Sequence, residues 1–392
     1  MKLNPFSDEF VADPYPIYKY LRDHEPVHYN DELNFYALAR YADIIEALRD
    51  AETYSNAGGV TLDGSGAGSS MLLVKDNPEH FYHKNLAFSV FTRARMEAMQ
   101  DLARARCIEL LEEAGQREEC DAVEDFSVRL PLSVISELIG IPEEFRAPIH
   151  KFTNILMARR EDMDNRLVHK AKLDADETCK ELIRMRRAKP RDDIITLLMT
   201  TPLQDSSGEV RYLSDDELTE RFVELAVAGH ETVSKAIPNT MALFNRFPGE
   251  LKKVLDDRTL IASAVEESLR YEAPAQTTAR TTTREVEVLG VKIPAKARVL
   301  LLPGSATRDE RRFKNPDVFD ITRDNEVTSV YFGYGIHRCL GIHLARMEIR
   351  VAMEELLQRF PKFQTFPERG TRTPMANVRG YSSLPVQLGP HA

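Results

Sequence analysis

The thiol of Cys339 is the side chain of this 392-residue sequence whose surroundings most favour chemistry. It lies in FGYGIHRCLG, residues 332–341, a glycine-rich segment that ends where a helical pattern begins. Backbone N–H groups of such a loop, together with the N-terminus of the following helix, favour an anion. We therefore predict that Cys339 ionises readily, as a thiolate ligand must. The alternative is an inert buried cysteine.

The other three cysteines, Cys107, Cys120 and Cys179, lie far apart, and no two of the four have the Cys-x-x-Cys spacing. This distribution argues against a disulfide framework and against a structural zinc site. We expect special chemistry at one cysteine at most.

A second group of polar residues interrupts an apolar helical pattern. Ser214 and Glu217 have capping-box spacing, and the pattern that they begin runs to about Arg246, which predicts an unusually long helix. Glu231 and Thr232 stand in its middle. A threonine hydroxyl inside a helix can relay a proton or can bond the carbonyl of the preceding turn, and both interpretations stay open at this point.

The elements that must position these residues are mostly helical. Apolar residues recur at helical spacing from Pro78 to about Lys189, with breaks near Gly115, Pro142 and Asp164. Five glycines between positions 55 and 70 predict a mobile surface loop. The later helices are predicted at Glu250–Leu255, Ile261–Tyr271 and Leu340–Phe360, and the strands at Val27–Tyr29, Phe35–Leu38, Thr281–Val291 and Arg298–Leu302.

The segment around Cys339 resembles the haem-binding loop of the cytochromes P450, F-x-x-G-x-H-x-C-x-G. Phe332, Gly335, His337, Cys339 and Gly341 fill all five specified positions. The segment AGHET, residues 228–232, is similar to the acid–alcohol pair of the same family. These motifs occur in the order that the family has, and the resemblance extends from about residue 13 to residue 388.

The resemblance also implies a brace for the fold. Glu267 and Arg270 match the family's Glu-x-x-Arg pair and are expected to join a downstream arginine, Arg323 or a neighbour. Glycine at position 229 would permit the helix to approach bound oxygen closely.

What the resemblance implies for the cofactor is haem b, with Cys339 as the axial iron ligand. His80, Lys84, Arg280 and His337 match positions that neutralise the two haem carboxylates, although Lys84 departs from the arginine usual there and cannot make a two-pronged contact. The alternative for each is a surface charge. Glu231 and Thr232 would be the catalytic residues that route protons.

The fold that the resemblance implies is mainly α with minor β, a triangular helical bundle with small β-sheets. We expect residues 1–392 to form a single haem-thiolate monooxygenase domain with no fused reductase. Electrons would then come from a ferredoxin or flavodoxin with its reductase. Residues Arg93, Arg95, Arg338 and Arg346 are candidates for a basic docking patch, the alternative being solvated surface charges.

The composition excludes several partners. The net charge of -10, from 52 Lys and Arg against 62 Asp and Glu, repels nucleic acid. The start of the chain has no signal-peptide pattern, and no apolar run is long enough to cross a bilayer. We therefore expect a cytoplasmic protein without a membrane anchor.

The activity that the resemblance implies is insertion of one oxygen atom from O2 into a hydrophobic small molecule, by hydroxylation or epoxidation. The expected lining lies at residues 60–73, 222–229, 275–278 and 381–384, and suits a terpenoid, steroid, fatty acyl or polyketide compound. Two rival functions are a haem protein that binds or senses a ligand without turnover, and a peroxygenase supplied with peroxide. The presence of Glu231 and Thr232 favours the monooxygenase.

Overall fold

The long helix predicted from the capping box is the element around which the molecule is built. The structure, a computed structural model, describes residues 3–157, 165–204, 207–324 and 330–391. Its helices are α1 (Asp8–Ala12), α2 (Tyr15–His24), α3 (Tyr41–Arg49), α4 (Glu79–Val90), α5 (Arg93–Gly115), α6 (Arg129–Ile139), α7 (Glu143–Met157), α8 (Asn165–Ala188), α9 (Ile194–Thr200), α10 (Asp215–Arg246), α11 (Pro248–Asp256), α12 (Ile261–Tyr271), α13 (Pro303–Ala306) and α14 (Ile342–Arg359).

Helix α10 begins at the predicted capping box. The Ser214 hydroxyl accepts a hydrogen bond from the Glu217 N–H at 3.2 Å, and the Glu217 carboxylate accepts one from the Ser214 N–H at 2.9 Å. Pro238 lies within the helix and cannot donate to the carbonyl of Ser234, four residues earlier. The hydroxyl of Ser127 donates to that carbonyl instead, at 2.8 Å. The helix therefore continues past the proline without an orphaned carbonyl.

The strands form small sheets at the edge of the helical part. They are β1 (Val27–Asn30), β2 (Phe35–Leu38), β3 (Tyr54–Ser55), β4 (Cys120–Asp121), β5 (Leu203–Gln204), β6 (Val210–Arg211), β7 (Thr278–Thr282), β8 (Val286–Val288), β9 (Val291–Ile293), β10 (Arg298–Leu301), β11 (Gln364–Thr365), β12 (Thr371–Arg372), β13 (Tyr381–Ser383) and β14 (Pro385–Gln387). The largest sheet has the order β1-β2-β10-β7-β3, in which β2 and β10 are parallel.

Two hydrophobic cores hold these elements. The first lies among the helices and includes Phe222 and Val233 of α10, Leu130 of α6 and Met353 of α14. The second joins α2 and α3 to the five-stranded sheet through side chains such as Phe35. Both sets of side chains are almost completely buried.

Most element predictions are confirmed, with two differences. The span predicted as helical from Pro78 to Lys189 also contains strand β4 and a π-helical turn at Ala122–Ser127. The predicted strand at 281–291 is divided between β7, β8 and β9, and residues 289 and 290, which both have positive φ angles, turn the chain between β8 and β9. The break predicted near Asp164 lies outside the described residues.

No helix within the described ranges is both long and apolar enough to cross a membrane.

Candidate haem-thiolate active site

The loop that carries Cys339 is closed by its own backbone and by its glycines. The Cys339 N–H donates to the Phe332 carbonyl at 2.8 Å. Gly335 has a φ of 67°, and a Cβ there would lie 2.4 Å from the Leu48 carbonyl oxygen, so no other residue fits. A Cβ on Gly341 would meet no protein atom within 4 Å, which leaves open space beside the loop. Helix α14 begins at the next residue.

Cys339 is exposed, whereas the other three cysteines are buried. In the protein without a bound metal, the surrounding atoms desolvate the sulfur and raise the pKa of the thiol, which is opposite in direction to the prediction that it ionises readily. The N–H of Gly341 and the charges of Lys84 and Arg338 favour the thiolate but do not outweigh this desolvation. The loop therefore supplies donors for an anionic sulfur, and an adjacent metal cation would be needed to hold it ionised.

Nitrogen-bearing side chains from three elements converge beside this loop. The rings of His80 and His337 lie 4.3 Å apart between centroids. Burial lowers the pKa of His80 to about 4 and that of His337 to about 2, and nearby cations add to both shifts. Arg280 is also buried, and burial lowers its pKa to about 10.

These groups have hydrogen-bond capacity to spare. The Nε2 atom of His337 is buried without a hydrogen-bond partner in the described structure. Arg280 donates only to the hydroxyl of Thr278 at 2.9 Å and to the carbonyl of Ala279 at 2.8 Å, among the residues described. A buried guanidinium beside one buried and one half-buried imidazole is costly unless an anion joins them. The cluster therefore fits a ligand that carries carboxylates.

Lys84 has a further role that the sequence did not indicate. Its Nζ donates to the carbonyls of Ile336 and Arg338, the latter at 3.1 Å, so helix α4 is tied to the cysteine loop. A lysine ammonium has three donors, of which two are used here. Lys84 consequently braces the loop and brings a positive charge near Cys339.

Helix α10 presents an accessible stripe. Ala228 is exposed although Ala226 and His230 beside it are buried, and Thr232, one turn beyond Ala228, is partly exposed. Thr219 and Thr240 of the same helix donate to the carbonyls four residues earlier, at 2.7 and 2.8 Å. The Thr232 hydroxyl makes no such bond to its own helix, unlike those two.

Glu231 is buried and lies next to a buried lysine. The Nζ of Lys235, one turn along α10, is 3.5 Å from its Oε1. Burial raises the pKa of Glu231, while Lys235 acts in the opposite direction. The stem of Lys235 packs against Gly380, where a Cβ would lie 2.4 Å from the lysine Cβ. Sequence analysis missed Lys235, although the i, i+4 spacing to an acid is a signal that could have identified it.

Gly229 has a different role from the one predicted. A Cβ on this residue would lie 2.7 Å from two side-chain carbons of Ile135 in α6. The missing side chain therefore lets α10 and α6 pack closely, because Ile135 occupies the space where a Cβ of residue 229 would lie. Gly229 was predicted to let α10 approach bound oxygen, whereas the packing shows that it lets α10 approach α6.

The predicted brace is present in full. Glu267 and Arg270 are completely buried and form two hydrogen bonds, each of 2.7 Å. Arg323 joins the same carboxylate at 3.3 Å. Arg270 also donates to the carbonyls of Thr307 and Pro316, so α12 is fixed to the segment that leads to the cysteine loop.

The C-terminal end of the glycine-rich loop is hydrogen-bonded to two acidic side chains of α10. The N–H groups of Leu72 and Leu73 donate to the Glu224 carboxylate at 2.9 and 2.7 Å, and that of Ser70 donates to Glu220. Ala275, in another predicted lining segment, pairs with Val378 in an isolated β-bridge. Tyr381 of the predicted lining is buried under Arg372 instead, with the guanidinium 3.9 Å from the ring centroid.

The predicted docking patch is only partly free. Arg95 pairs with Asp192 at 2.6 Å, and Arg346 makes two hydrogen bonds to Glu266. The side chain of Arg93 lies outside the described part of the structure. Arg338 is exposed, and sequence analysis missed Arg49, which is exposed and donates to the Tyr334 hydroxyl at 3.0 Å.

The site has the features expected of a haem-thiolate protein: a cysteine loop beside an open space, a buried guanidinium near two histidine rings, and a long helix with an acid and a threonine whose hydroxyl is not bonded to that helix. Comparison with known proteins agrees: residues 132–387 match the family model described as Cytochrome P450. The chain therefore belongs to the cytochrome P450 family and is a monooxygenase whose cofactor is haem b.

Relatives and solved structures cover nearly all of the chain. A putative cytochrome P450 123 of Mycobacterium tuberculosis is 35% identical over 98% of this chain and 96% of its own length. A biotin biosynthesis cytochrome P450 of Bacillus subtilis is 32% identical over 97% of each. The structure of P450BioI with an acyl carrier protein that bears hexadec-9Z-enoic acid has a TM-score of 0.87 and 30% identity, and it covers 97% of this chain and 100% of that one.

Another similar structure is CYP109E1 of Bacillus megaterium in complex with corticosterone. Its TM-score is 0.86 and its identity 28%, with 97% of this chain and 99% of that chain covered. The mainly α fold with small β-sheets is thereby confirmed.

Proposed function

We propose that this protein hydroxylates or epoxidises a hydrophobic small molecule, using O2 and two electrons from a separate donor. Cys339 would hold the haem iron through its sulfur, and Phe332, Gly335 and Gly341 would shape the loop against the cofactor. His80, Arg280 and His337 bind the carboxylates of the haem, and Lys84 assists them from the position where it holds the loop. When bound, the haem supplies the oxygen-activating chemistry.

The observation that carries this proposal is that the Thr232 hydroxyl is not bonded to its own helix. A structural threonine in a helix is expected to bond back to its own backbone, as Thr219 and Thr240 do. The hydroxyl of Thr232 is free of that bond and lies on the accessible stripe of α10. It can therefore accept and pass on a proton, and Glu231, the adjacent acid, is the group that supplies it.

The experiment that tests the proposal measures the coupling ratio, that is, the product and the hydrogen peroxide formed per reduced nicotinamide consumed. In Thr232→Ala, haem content and the substrate-induced spin shift should stay close to wild type. Reduced nicotinamide consumption should continue while product per electron falls and hydrogen peroxide rises, because the proton is no longer guided. Thr240→Ala is the matched control and should keep wild-type coupling.

Two outcomes would contradict the proposal. Wild-type coupling in Thr232→Ala would make this threonine a helix residue only. Turnover supported by peroxide alone, with none from O2 and reductant, would favour the peroxygenase.

The substrate is proposed to be a terpenoid, steroid, fatty acyl or polyketide compound. Ala228, Ala275, Thr278 and Leu73 of the expected lining, and Thr232 beside it, are small or apolar and at least partly exposed. Such a lining binds an apolar body and a few polar groups. The structures with an acyl carrier protein and with corticosterone show that similar proteins accommodate acyl chains and steroids.

A spectral screen separates these classes. Titration with a steroid, a terpenoid, a long-chain fatty acid and the same acid on an acyl carrier protein should shift the iron spin state for at least one apolar compound. A response confined to small polar compounds would contradict a hydrophobic substrate.

A further inference from the structure

A cleft of about 490 Å³ opens on the side of α10 near its C-terminus, apart from the haem-thiolate site. It is bounded by the last turns of α10, by β11 and by the hairpin of β12 and β13. Of the segments that sequence analysis assigned to the substrate, it includes only Tyr381. The residues that give it chemical character are Asn239, Arg246, Glu272, Arg372 and Tyr381.

Two arginines face this cleft without a full complement of acceptors. Arg372 stacks on the Tyr381 ring, and its Nη1 stands 3.5 Å from a carboxylate oxygen of Glu272 without forming a hydrogen bond in the described structure. Arg246 is exposed, and its guanidinium lies 5.3 Å from the centroid of the Phe247 ring. A cation in the last turn of a helix is explained by the helix dipole alone. The helix dipole does not explain the second guanidinium, that of Arg372, in the lining of the same cleft.

The acid in the cleft does not neutralise these two cations. Glu272 is buried and accepts a hydrogen bond from Arg379 at 2.7 Å, and Arg308 approaches it at 3.8 Å. Arg308 also pairs with Asp317 at 3.3 Å, so three guanidinium groups share two carboxylates, and Arg246 adds a fourth positive charge. The local surplus of positive charge suits an anion, although the whole chain is acidic.

Polar atoms on the floor add hydrogen-bonding capacity. Asn239 is buried and uses its amide nitrogen to bond the carbonyls of Glu272 and Arg379, while its Oδ1 has no partner in the described part of the chain. The pKa of Tyr381 is raised by burial, which keeps its hydroxyl protonated as a donor. An acceptor-rich anion with an adjacent donor group would match these atoms.

We propose that this cleft is a second binding site, for a small molecule that carries a carboxylate. The guanidinium groups of Arg246 and Arg372 bind the carboxylate, and the apolar walls at Ala242, Leu243 and Pro367 contact its body. The site does not depend on the oxygen chemistry proposed above, because none of these residues belongs to it.

Binding of 4-fluorophenylacetate to the purified holoenzyme, followed by fluorine NMR, tests the site. Its neutral analogue, 4-fluorophenylacetamide, should bind at least about tenfold more weakly, as expected when a charge-assisted hydrogen bond is lost. The absorption spectrum of the haem should not change, which separates this cleft from the substrate cavity.

Variants assign the binding to the two arginines. Arg246→Gln should weaken carboxylate binding about tenfold, and the Arg246→Gln/Arg372→Gln double variant should bind the carboxylate and the amide equally. The single variant keeps the test valid if loss of Arg372 loosens the hairpin at Tyr381. Arg369→Gln is the matched control, because Arg369 pairs with Glu119 and does not line the cleft.

Equal binding of the two probes to wild type, or an undiminished preference for the carboxylate in the double variant, would overturn the proposal. A probe that displaces substrate and shifts the haem spectrum would also overturn it, because it would then occupy the oxygenation site. Since the readout is binding, these results are independent of whether the protein turns substrate over.

Discussion

Cys339 is the residue on which the cofactor chemistry depends. Cys339→Ser should abolish the red-shifted Soret band of the ferrous carbon monoxide complex, because that shift reports a sulfur anion and a hydroxyl cannot replace it. The measurement is the difference spectrum of reduced protein with and without carbon monoxide. Cys120→Ala is the control and should keep the band, since Cys120 is buried in the helical core and burial raises its pKa to about 11. A serine variant that retains the band would refute the assignment.

Lys235 is a positioning residue whose effect should appear in the pH dependence of coupling. Burial raises the pKa of Glu231 and Lys235 draws it back, so Lys235→Met should let the acid hold its proton to higher pH. We expect product per electron, measured from pH 6 to 9, to follow a profile displaced to higher pH in the variant. Glu231→Gln should remove that dependence in both backgrounds. An unchanged profile in Lys235→Met would leave this lysine with a packing role alone.

The sequence identified which residues belong to the site better than it identified which residues contact one another. The motif around Cys339 and the pair Glu231–Thr232 are legible in the sequence because their members are close along the chain. Lys84 and Ile336 are 252 positions apart, so the hydrogen bond that ties α4 to the cysteine loop required the folded chain. Sequence analysis singled out Gly229, but only the folded structure shows that Ile135 occupies the space of its missing side chain.

Helix α10 is the element that carries the proposed proton route, and its N-terminus is held by Glu217. Burial alone would raise the pKa of that carboxyl, but Arg211 and the Ser214 N–H outweigh it and lower the pKa to about 2, from its ordinary value of 4.5. A lowered pKa in the folded state means that the stabilisation is complete above about 4.5 and is lost as the pH falls toward 2.

Glu217→Gln should therefore lower the free energy of unfolding at pH 7 by about 1–2 kcal/mol. The difference from wild type should shrink as the pH is reduced from about 4.5 toward 2, because the unfolded wild-type chain then binds a proton at Glu217 that the folded protein does not. Urea unfolding at several pH values measures it. Asp216→Asn, at an exposed acid in the same helical turn, is the control and should show little pH dependence. A constant difference at all pH values would contradict the assignment to this carboxylate.

Element boundaries followed the sequence where a local signal exists. The capping box at Ser214 and the bounds of α12 are confirmed, because caps and apolar periodicity are local. Strand β4 was missed because it has two residues and pairs only with β14, far along the chain. The π-helical turn after it was missed for a similar reason: Ser127 at its end is placed there by a carbonyl of α10.

At the scale of the molecule, we expect an electron donor to dock on the face around the cysteine loop. Of the predicted patch, Arg338 remains exposed, and Arg49, which donates to the Tyr334 hydroxyl, is exposed as well; both charges act on that hydroxyl. The charges of Arg95 and Arg346 are neutralised by acids. The whole chain is acidic, so these two exposed cations would give an acidic ferredoxin or flavodoxin a local target.

The double charge reversal Arg338→Glu/Arg49→Glu should slow reduction by such a donor about tenfold at low ionic strength, with a smaller effect at high salt. Stopped-flow reduction of the substrate-bound protein measures this, and substrate affinity should be unaffected. Arg95→Glu is the control, since its charge is already balanced by Asp192. Equal reduction rates for wild type and the double variant would remove this face from consideration.

The unequal exposure of the four cysteines has a practical consequence for assembly of the protein. Cys107, Cys120 and Cys179 are shielded by the helical core, while Cys339 is reachable from outside the polypeptide. A thiol-specific alkylating reagent should thus label one site per native chain before haem is inserted and none afterwards, and a blocked chain should be unable to mature. The labelling stoichiometry would count cofactor-free molecules in a preparation without any absorbance measurement.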